Sequence, residues 1–291
     1  MTSTNDRIAS DGLRPAMRRM WASVADRWAE HADDVDTSRA AVTVAMLERA
    51  APRPGDRVLE LAGGPGGVGL AAADRVGARG EVVITDVVPE MTAVAAARAA
   101  ARGLDHVVTR ERDLEDLDEP DGAFDVVLCR EGLMFATDPG RAATEIRRVL
   151  CPGGRVAVAV WGPRERNPWL GLLFDALTAQ TGRPVPPPGV PGPFSLGDGA
   201  RLAALLRDAG LDDVRVEELA VPTRAESFEH WWTRTTALAG PIAGVLAAMP
   251  EAPRAALRDG LRAEVERYRV PGGYELPGLT LLASARRPAT A

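Results

Sequence analysis

Residues 57–70 read RVLELAGGPGGVGL. Arg57–Ala62 is a short apolar run with the look of a buried strand. Five residues, Gly63-Gly64-Pro65-Gly66-Gly67, interrupt it, and a helical pattern then continues to about Arg75. Gly64–Gly69 satisfies G-x-G-x-x-G between a strand and a helix. The next apolar run, EVVITD (81–86), ends in an acid, Asp86, about 20 residues further on. Glycines let the backbone approach a ligand, and the amides of a helix N-terminus suit negative charge. A carboxylate at the end of the second strand can accept both hydroxyls of a ribose. By itself the glycine run also fits any tight strand-to-helix turn.

The surrounding chain repeats the unit. A helix over 90–102, a weaker strand at His106–Arg110, and the strands Phe124–Arg130 and Arg155–Trp161 follow. Between the last two lies a helix over Asp138–Leu150, with Asp138 at its N-cap and Pro139 at its first position. Short β-branched strands alternating with 10–15-residue helices imply an α/β fold with a doubly wound parallel sheet. Asp213–Ala220 and Leu279–Ala285 add two further strands. Residues 13–50 read as helices, with Trp21, Val24, Ala25 and Trp28 at helical spacing. An apolar helix over 168–180 precedes a Pro/Gly-rich run, Arg183–Gly199, that excludes regular structure. Ala200–Ala209 is helical, and 225–268 reads as helices broken by prolines. The expected organisation is an N-terminal helical cap (1–52), an α/β core (53–162), a Pro-rich acceptor-side segment (163–199), the remainder of the core sheet (200–222 and 274–288) and a helical lid (223–273).

Composition narrows the chemistry. The chain has 291 residues and 46% hydrophobic content, enough for one large core. Its net charge of −6 gives no general attraction to nucleic acid or anionic lipid. All 35 basic residues are arginine, so lysine Schiff-base chemistry and a phosphate loop needing G-K-[ST] are excluded. Two cysteines and three scattered histidines give no metal-ligand spacing. The polar start MTSTNDRIASDG shows no secretory signal, and no apolar run reaches membrane-span length, so a cytoplasmic protein is the default expectation. Nothing in the sequence sets an oligomeric state.

Four stretches together, VLELAGGPGGVGL (58–70), VVITDVVPEM (82–91), FDVVLCREGLMFATDP (124–139) and IRRVLCPGGRVAVAVWG (146–162), resemble class I S-adenosylmethionine-dependent methyltransferases. The similarity is to the ubiquinone/menaquinone methyltransferase-like branch, methyltransferase type 11. It implies a Rossmann-like seven-stranded sheet and S-adenosyl-L-methionine as cofactor, with S-adenosyl-L-homocysteine as product. The acid-x-Gly-x-Gly-x-Gly motif reads here from Glu60, with Ala62 in the first glycine position, acceptable if its φ is negative. By resemblance, Glu60, Ala62, Gly63, Gly64 and Gly66 would meet the methionine part of the cofactor. Asp86 would bind the ribose diol, Val87 and Met91 would lie against the adenine, and Asp113 with Leu114 would meet its amino group. Arg130 and Glu131 would line the methionine and acceptor end, and Trp28 would stand near the sulfonium.

A general base is needed only if the acceptor loses a proton. The candidates are His31 on the N-terminal helices, His230 within the aromatic run FEHWW (228–232), and Glu131. The Trp, Phe, Leu and Pro content of 163–197 and 223–273 points to a small apolar or aromatic acceptor, such as a secondary metabolite, methylated on oxygen or carbon. Two other readings stay open: a nicotinamide-dependent oxidoreductase, disfavoured by Glu60 and the missing lysine, and a cofactor-binding relative without methyl transfer, such as a cyclase or binding subunit.

Overall fold

The computed structural model describes residues 4–289; residues 1–3 of the expected cap lie outside the described residues. Four helices open the chain: α1 (Thr4–Ala22), α2 (Ala25–Glu30), α3 (Ala32–Ser38) and α4 (Ala40–Ala50). The alternating core follows as β1 (Arg57–Glu60), α5 (Gly67–Val76), β2 (Glu81–Asp86), α6 (Pro89–Ala101), β3 (Val107–Glu111), β4 (Phe124–Arg130), α7 (Pro139–Val149) and β5 (Leu150–Trp161). Beyond it come α8 (Pro168–Thr181), α9 (Gly199–Asp208), β6 (Asp212–Ala220), β7 (Thr223–Ala225), α10 (Phe228–Leu238), α11 (Gly240–Ala248) and α12 (Glu251–Val265). The chain finishes with β8 (Arg269–Val270), β9 (Gly273–Leu276) and β10 (Leu279–Arg286).

Seven strands form one sheet in the order β3-β2-β1-β4-β5-β10-β6. Only β10 is reversed, antiparallel to both β5 and β6. The chain winds one way from β1 to β3 and the other way from β4, so β1 and β4 flank the point where the strand order reverses. Open α/β sheets bind ligands there, beyond the carboxyl ends of the strands.

Burial follows the strand alternation. Leu59, Val83, Val127 and Val158 face α7 and α9 through Ile146, Leu202 and Leu206. Val58, Ile84, Val126 and Ala157 face the opposite layer, through Met46 of α4, Leu70 of α5 and Ala95 of α6. A third apolar cluster joins α8, α10, α11 and α12 around Phe174, Phe228, Trp231 and Leu261. It stands beside the carboxyl end of β5, where Trp161 packs against it.

The expected boundaries of β2 and β4 coincide with the observed ones, and Asp138 caps α7 by accepting from the Arg141 N–H. Two expectations need correction. β5 begins at Leu150 rather than Arg155, because Pro152-Gly153-Gly154 is carried as an irregularity in the pairing with β4, with Gly153 at φ 76°. The stretch 225–268 is helical as expected, in α10, α11 and α12, but no strand was expected between Ala220 and Leu279, and there β7, β9 and β8 form a second, three-stranded sheet flanking those helices. Strands of two to four residues are too short to show a period. No helix among the described residues is long and apolar enough to cross a membrane.

Candidate active site

A single cavity of about 520 Å³ opens over the carboxyl ends of β1, β2, β4 and β5, roofed by the N-terminal helices and by α10. Its size falls within the range of small-molecule sites. Of the expected residues, Trp28, Glu60, Ala62, Gly63, Gly64, Asp86, Val87, Met91, Asp113, Leu114, Arg130 and Glu131 line it. Gly66 lies behind the wall, packed on Ala95 at the helix start.

The glycine turn is held from below. Glu60, 2% exposed, accepts at Oε2 from the Gly69 N–H at 2.8 Å. It therefore organises the first turn of α5 as well as facing the cavity. Burial raises its pKa to about 7 against the pull of Arg130. At Gly67 a Cβ would stand 1.8 Å from Asp36 Oδ1, so any larger residue there would displace the Asp36 carboxylate. Asp36 in turn accepts from Arg98 at 2.7 Å and from Arg130 at 3.2 Å, tying α3 to the loop.

Ala62 departs from expectation. Its φ is +48°, in the left-handed region, not negative. The turn keeps the geometry that a glycine would adopt freely, and alanine there is strained by about 1–2 kcal/mol. Glu131, the first residue beyond β4, also has a positive φ, +57°. Its N–H donates to Ala159 O at 2.7 Å, which fixes this bend against β5.

Asp86 sits at the end of β2 with its carboxylate turned into the cavity wall. Oδ2 accepts from Gly64 N–H at 2.9 Å and Oδ1 from Val88 N–H at 3.0 Å. Each oxygen keeps a lone pair for a further donor. Burial lifts the Asp86 pKa to about 6. Such a buried, partly satisfied acid fits a ligand diol. At the far end of the same cavity, Asp113 Oδ1 accepts from Glu115 N–H at 2.9 Å. α1 crosses this end, its Arg14 paired with Glu115 and its Arg18 with Glu111. Met91 packs with Val88, Ala25 and Trp28, beside Val87.

The opposite end differs in character. Trp161, Trp169, Leu170, Phe174, Pro193 and Leu238 line it. Trp161 meets Trp169 edge-on, with ring centroids 4.7 Å apart. Three arginines enter among them: Arg39, Arg130 and Arg234. The motif reading missed Arg39, Trp161, Trp169 and Arg234. Only Trp161 carried a usable signal, as the last residue of a core strand.

Two proposed bases lie elsewhere. His230 is exposed and is not among the cavity-lining residues. α10 buries Phe228, Trp231 and Thr235, at i, i+3 and i+7, and position 230 falls on the other face. His31 caps α2 where the chain breaks into α3, part-exposed and outside the lining. Glu131 alone of the three faces the cavity.

A glycine turn at the strand-order reversal, with acids closing the second and third strands, is the layout of a Rossmann-like methyltransferase. Residues 58–154 match the family model described as "Methyltransferase domain". The ubiquinone/menaquinone biosynthesis C-methyltransferase UbiE of Cupriavidus necator is 34% identical over 187 residues, covering 58% of this chain and 72% of that protein. An uncharacterized protein of Mycobacterium tuberculosis is 34% identical over 198 residues, 68% of this chain and 67% of its own. Among solved structures, YcgJ from Bacillus subtilis superposes with a TM-score of 0.57 at 19% identity, covering 84% of this chain and 97% of that one. The [4+2]-cyclase SpnF gives 0.52 at 23%, covering 85% and 80%, which shows the shared fold alone. The chain belongs to the UbiE-like family of class I S-adenosylmethionine-dependent methyltransferases. It is an enzyme of methyl transfer with S-adenosyl-L-methionine as its cofactor.

Proposed function

We propose that the enzyme methylates a small, flat, largely apolar metabolite on oxygen or carbon. The observation that carries this is the aromatic wall of Trp161, Trp169 and Phe174, continuous with the cofactor end in one cavity. When bound, the cofactor supplies an electrophilic methyl group on a sulfonium.

The chain's own residues then divide the work. Asp86 accepts the ribose hydroxyls, and Asp113 with the Leu114 backbone meets the adenine edge, with Val87 and Met91 against its face. Glu60 shapes the loop Ala62–Gly66 around the methionine part, and Arg130 and Trp28 close that end. Glu131, part-buried at the junction of the two halves, takes a proton from an acidic acceptor. Alignment and exclusion of water supply most of the acceleration, on the order of 7–11 kcal/mol in favourable cases.

Incubation with S-adenosylmethionine labelled in its methyl group and a panel of phenols, hydroquinones, aromatic amines and aromatic hydrocarbons tests this reading. Label is expected in the hydroxyaromatic compounds. Glu131→Gln is expected to lower kcat roughly 10²-fold or more at unchanged S-adenosylhomocysteine affinity. Label appearing only in amines, or in no small molecule, contradicts it.

A further inference from the structure

We propose that Arg39 and Trp161 anchor a hydroxyl oxygen of the acceptor, with Glu131 receiving its hydrogen. The inference rests on the aromatic-acceptor reading above and goes further, assigning two specificity residues and the group they recognise.

Buried polar groups in native proteins are almost always paired, so exceptions point to something. Among the described residues, four such atoms belong to residues that line this cavity: Trp161 Nε1, Glu131 Oε1, Arg234 Nε and Arg112 Nε. Trp161 Nε1 is buried with no acceptor. Three other indoles are satisfied: Trp28 donates to Leu238 O at 3.2 Å, Trp169 to Asn167 Oδ1 at 3.2 Å, and Trp231 to Trp169 O at 3.0 Å. Glu131 Oε1 is likewise buried without a donor.

Arg39 completes the set with Trp161 and Glu131. Its side chain is 9% exposed, and its nearest carboxylate oxygen, Glu131 Oε1, stands 3.7 Å from Nε. No hydrogen bond joins its guanidinium to the described residues. The neighbouring arginines each make side-chain hydrogen bonds, with Arg234 Nε alone among their donors left buried and unbonded. Arg130 donates to Thr43 at 2.8 Å and to Asp36, and Arg234 donates to Ser38 at 2.6 Å and faces Asp34 at 2.5 Å. A buried arginine without such partners has donors to spare.

The three groups share one neighbourhood. The Arg39 guanidinium lies over the Trp169 ring, 5.2 Å from its centroid, and Trp161 packs edge-on against that same ring. Glu131 is bonded through its N–H to Ala159, two residues before Trp161 and so on the same face of β5. The set is one cationic donor, one neutral donor and one acceptor, beside flat aromatic walls.

A hydroxyl complements all three: its hydrogen goes to Glu131 Oε1, and its lone pairs accept from Trp161 Nε1–H and Arg39. An ammonium would oppose Arg39, a carboxylate would oppose Glu131, and a hydrocarbon would leave all three unmet. The acceptor class is therefore a planar ring bearing a phenolic or enolic hydroxyl.

The test compares 4-nitrophenol with nitrobenzene, which has the same ring without the hydroxyl. Binding to the protein saturated with S-adenosylhomocysteine is followed by titration calorimetry on the acidic side of neutral, where 4-nitrophenol keeps its hydrogen. Wild type is expected to favour 4-nitrophenol roughly tenfold or more. Trp161→Phe keeps the ring but loses the N–H, and should cut that preference roughly three- to tenfold with nitrobenzene affinity unchanged. Arg39→Gln should cut it by at least as much. A purely structural role would weaken both ligands together and leave the ratio intact; an unchanged ratio in Trp161→Phe overturns the anchor. Wild type that binds both compounds equally also overturns it, with the aromatic-acceptor reading left standing. Wild type that binds neither compound overturns both.

Discussion

Replacing Ala62 by glycine is a test of sign. In a loop with negative φ, alanine to glycine frees the unfolded chain and loses a methyl contact, and so destabilises by about 1 kcal/mol. At φ +48° the balance changes. The left-handed conformation strains alanine by about 1–2 kcal/mol, and glycine removes that strain. Against it stand about 0.4–1 kcal/mol of added unfolded-state entropy and about 0.4 kcal/mol for half of one buried methyl. The net is a gain of roughly 0.5 kcal/mol. For a chain of this length that is a rise in Tm of about 1–2 °C, measured by scanning calorimetry on the ligand-free protein. Ala62→Val should do the reverse, because a β-branched residue at positive φ is a severe outlier. A fall in Tm of about 2 °C or more in Ala62→Gly would show that residue 62 takes a negative φ, and the geometry derived for the loop would be wrong.

The affinity for S-adenosylhomocysteine should fall as pH drops through about 6, the Asp86 pKa, because the ionised carboxylate is the form that accepts the ribose hydroxyls. Calorimetric titrations from pH 5 to 8 should show up to about tenfold loss per unit below that point, and Asp86→Asn should flatten the profile. Stability of the ligand-free protein should run the other way. Glu60 and Asp86 hold protons more tightly folded than unfolded, so stability is greatest near the ordinary carboxylate range and falls as pH rises to about 7. The Glu60 share is on the order of 3 kcal/mol at most, and Glu60→Gln should remove that share of the slope in urea titrations, leaving the Asp86 part. His230→Ala and His31→Ala should leave methyl transfer within about twofold of wild type, since neither lines the cavity; a loss of tenfold or more in either would return a histidine to the reaction.

The cofactor half of this enzyme is written locally. β2 and β4 are continuous apolar runs, Asp138 and Pro139 mark a helix start, and the acid after EVVIT falls at a strand end by spacing alone. Each such residue depends on its own segment, so its place can be read from a few neighbours. The acceptor half is assembled from distant segments. Arg39 arrives from the α3–α4 junction, Trp161 from β5, Trp169 from α8 and Arg234 from α10, and no spacing joins them. The run Phe228–Trp232 misled for a physical reason. Its aromatic residues are buried packing Phe228 and Trp231 into the third cluster, and that same packing turns His230 to solvent. The positive φ of Ala62 has no signal in its neighbouring residues, and its methyl lies so close to Gly132 that a Cβ on that glycine would come within 2.5 Å of it.

The central claim is that the cavity over β1, β2 and β4 holds S-adenosylmethionine with Asp86 on the ribose. Titration of the full chain with S-adenosylhomocysteine, wild type against Asp86→Ala, tests it most directly. Two hydroxyl donors lost from one carboxylate are together worth about 3–6 kcal/mol. Saturable binding by wild type and a loss of roughly 10²-fold or more in the variant are predicted. Equal affinity in the two proteins, with the variant folded, would contradict the account.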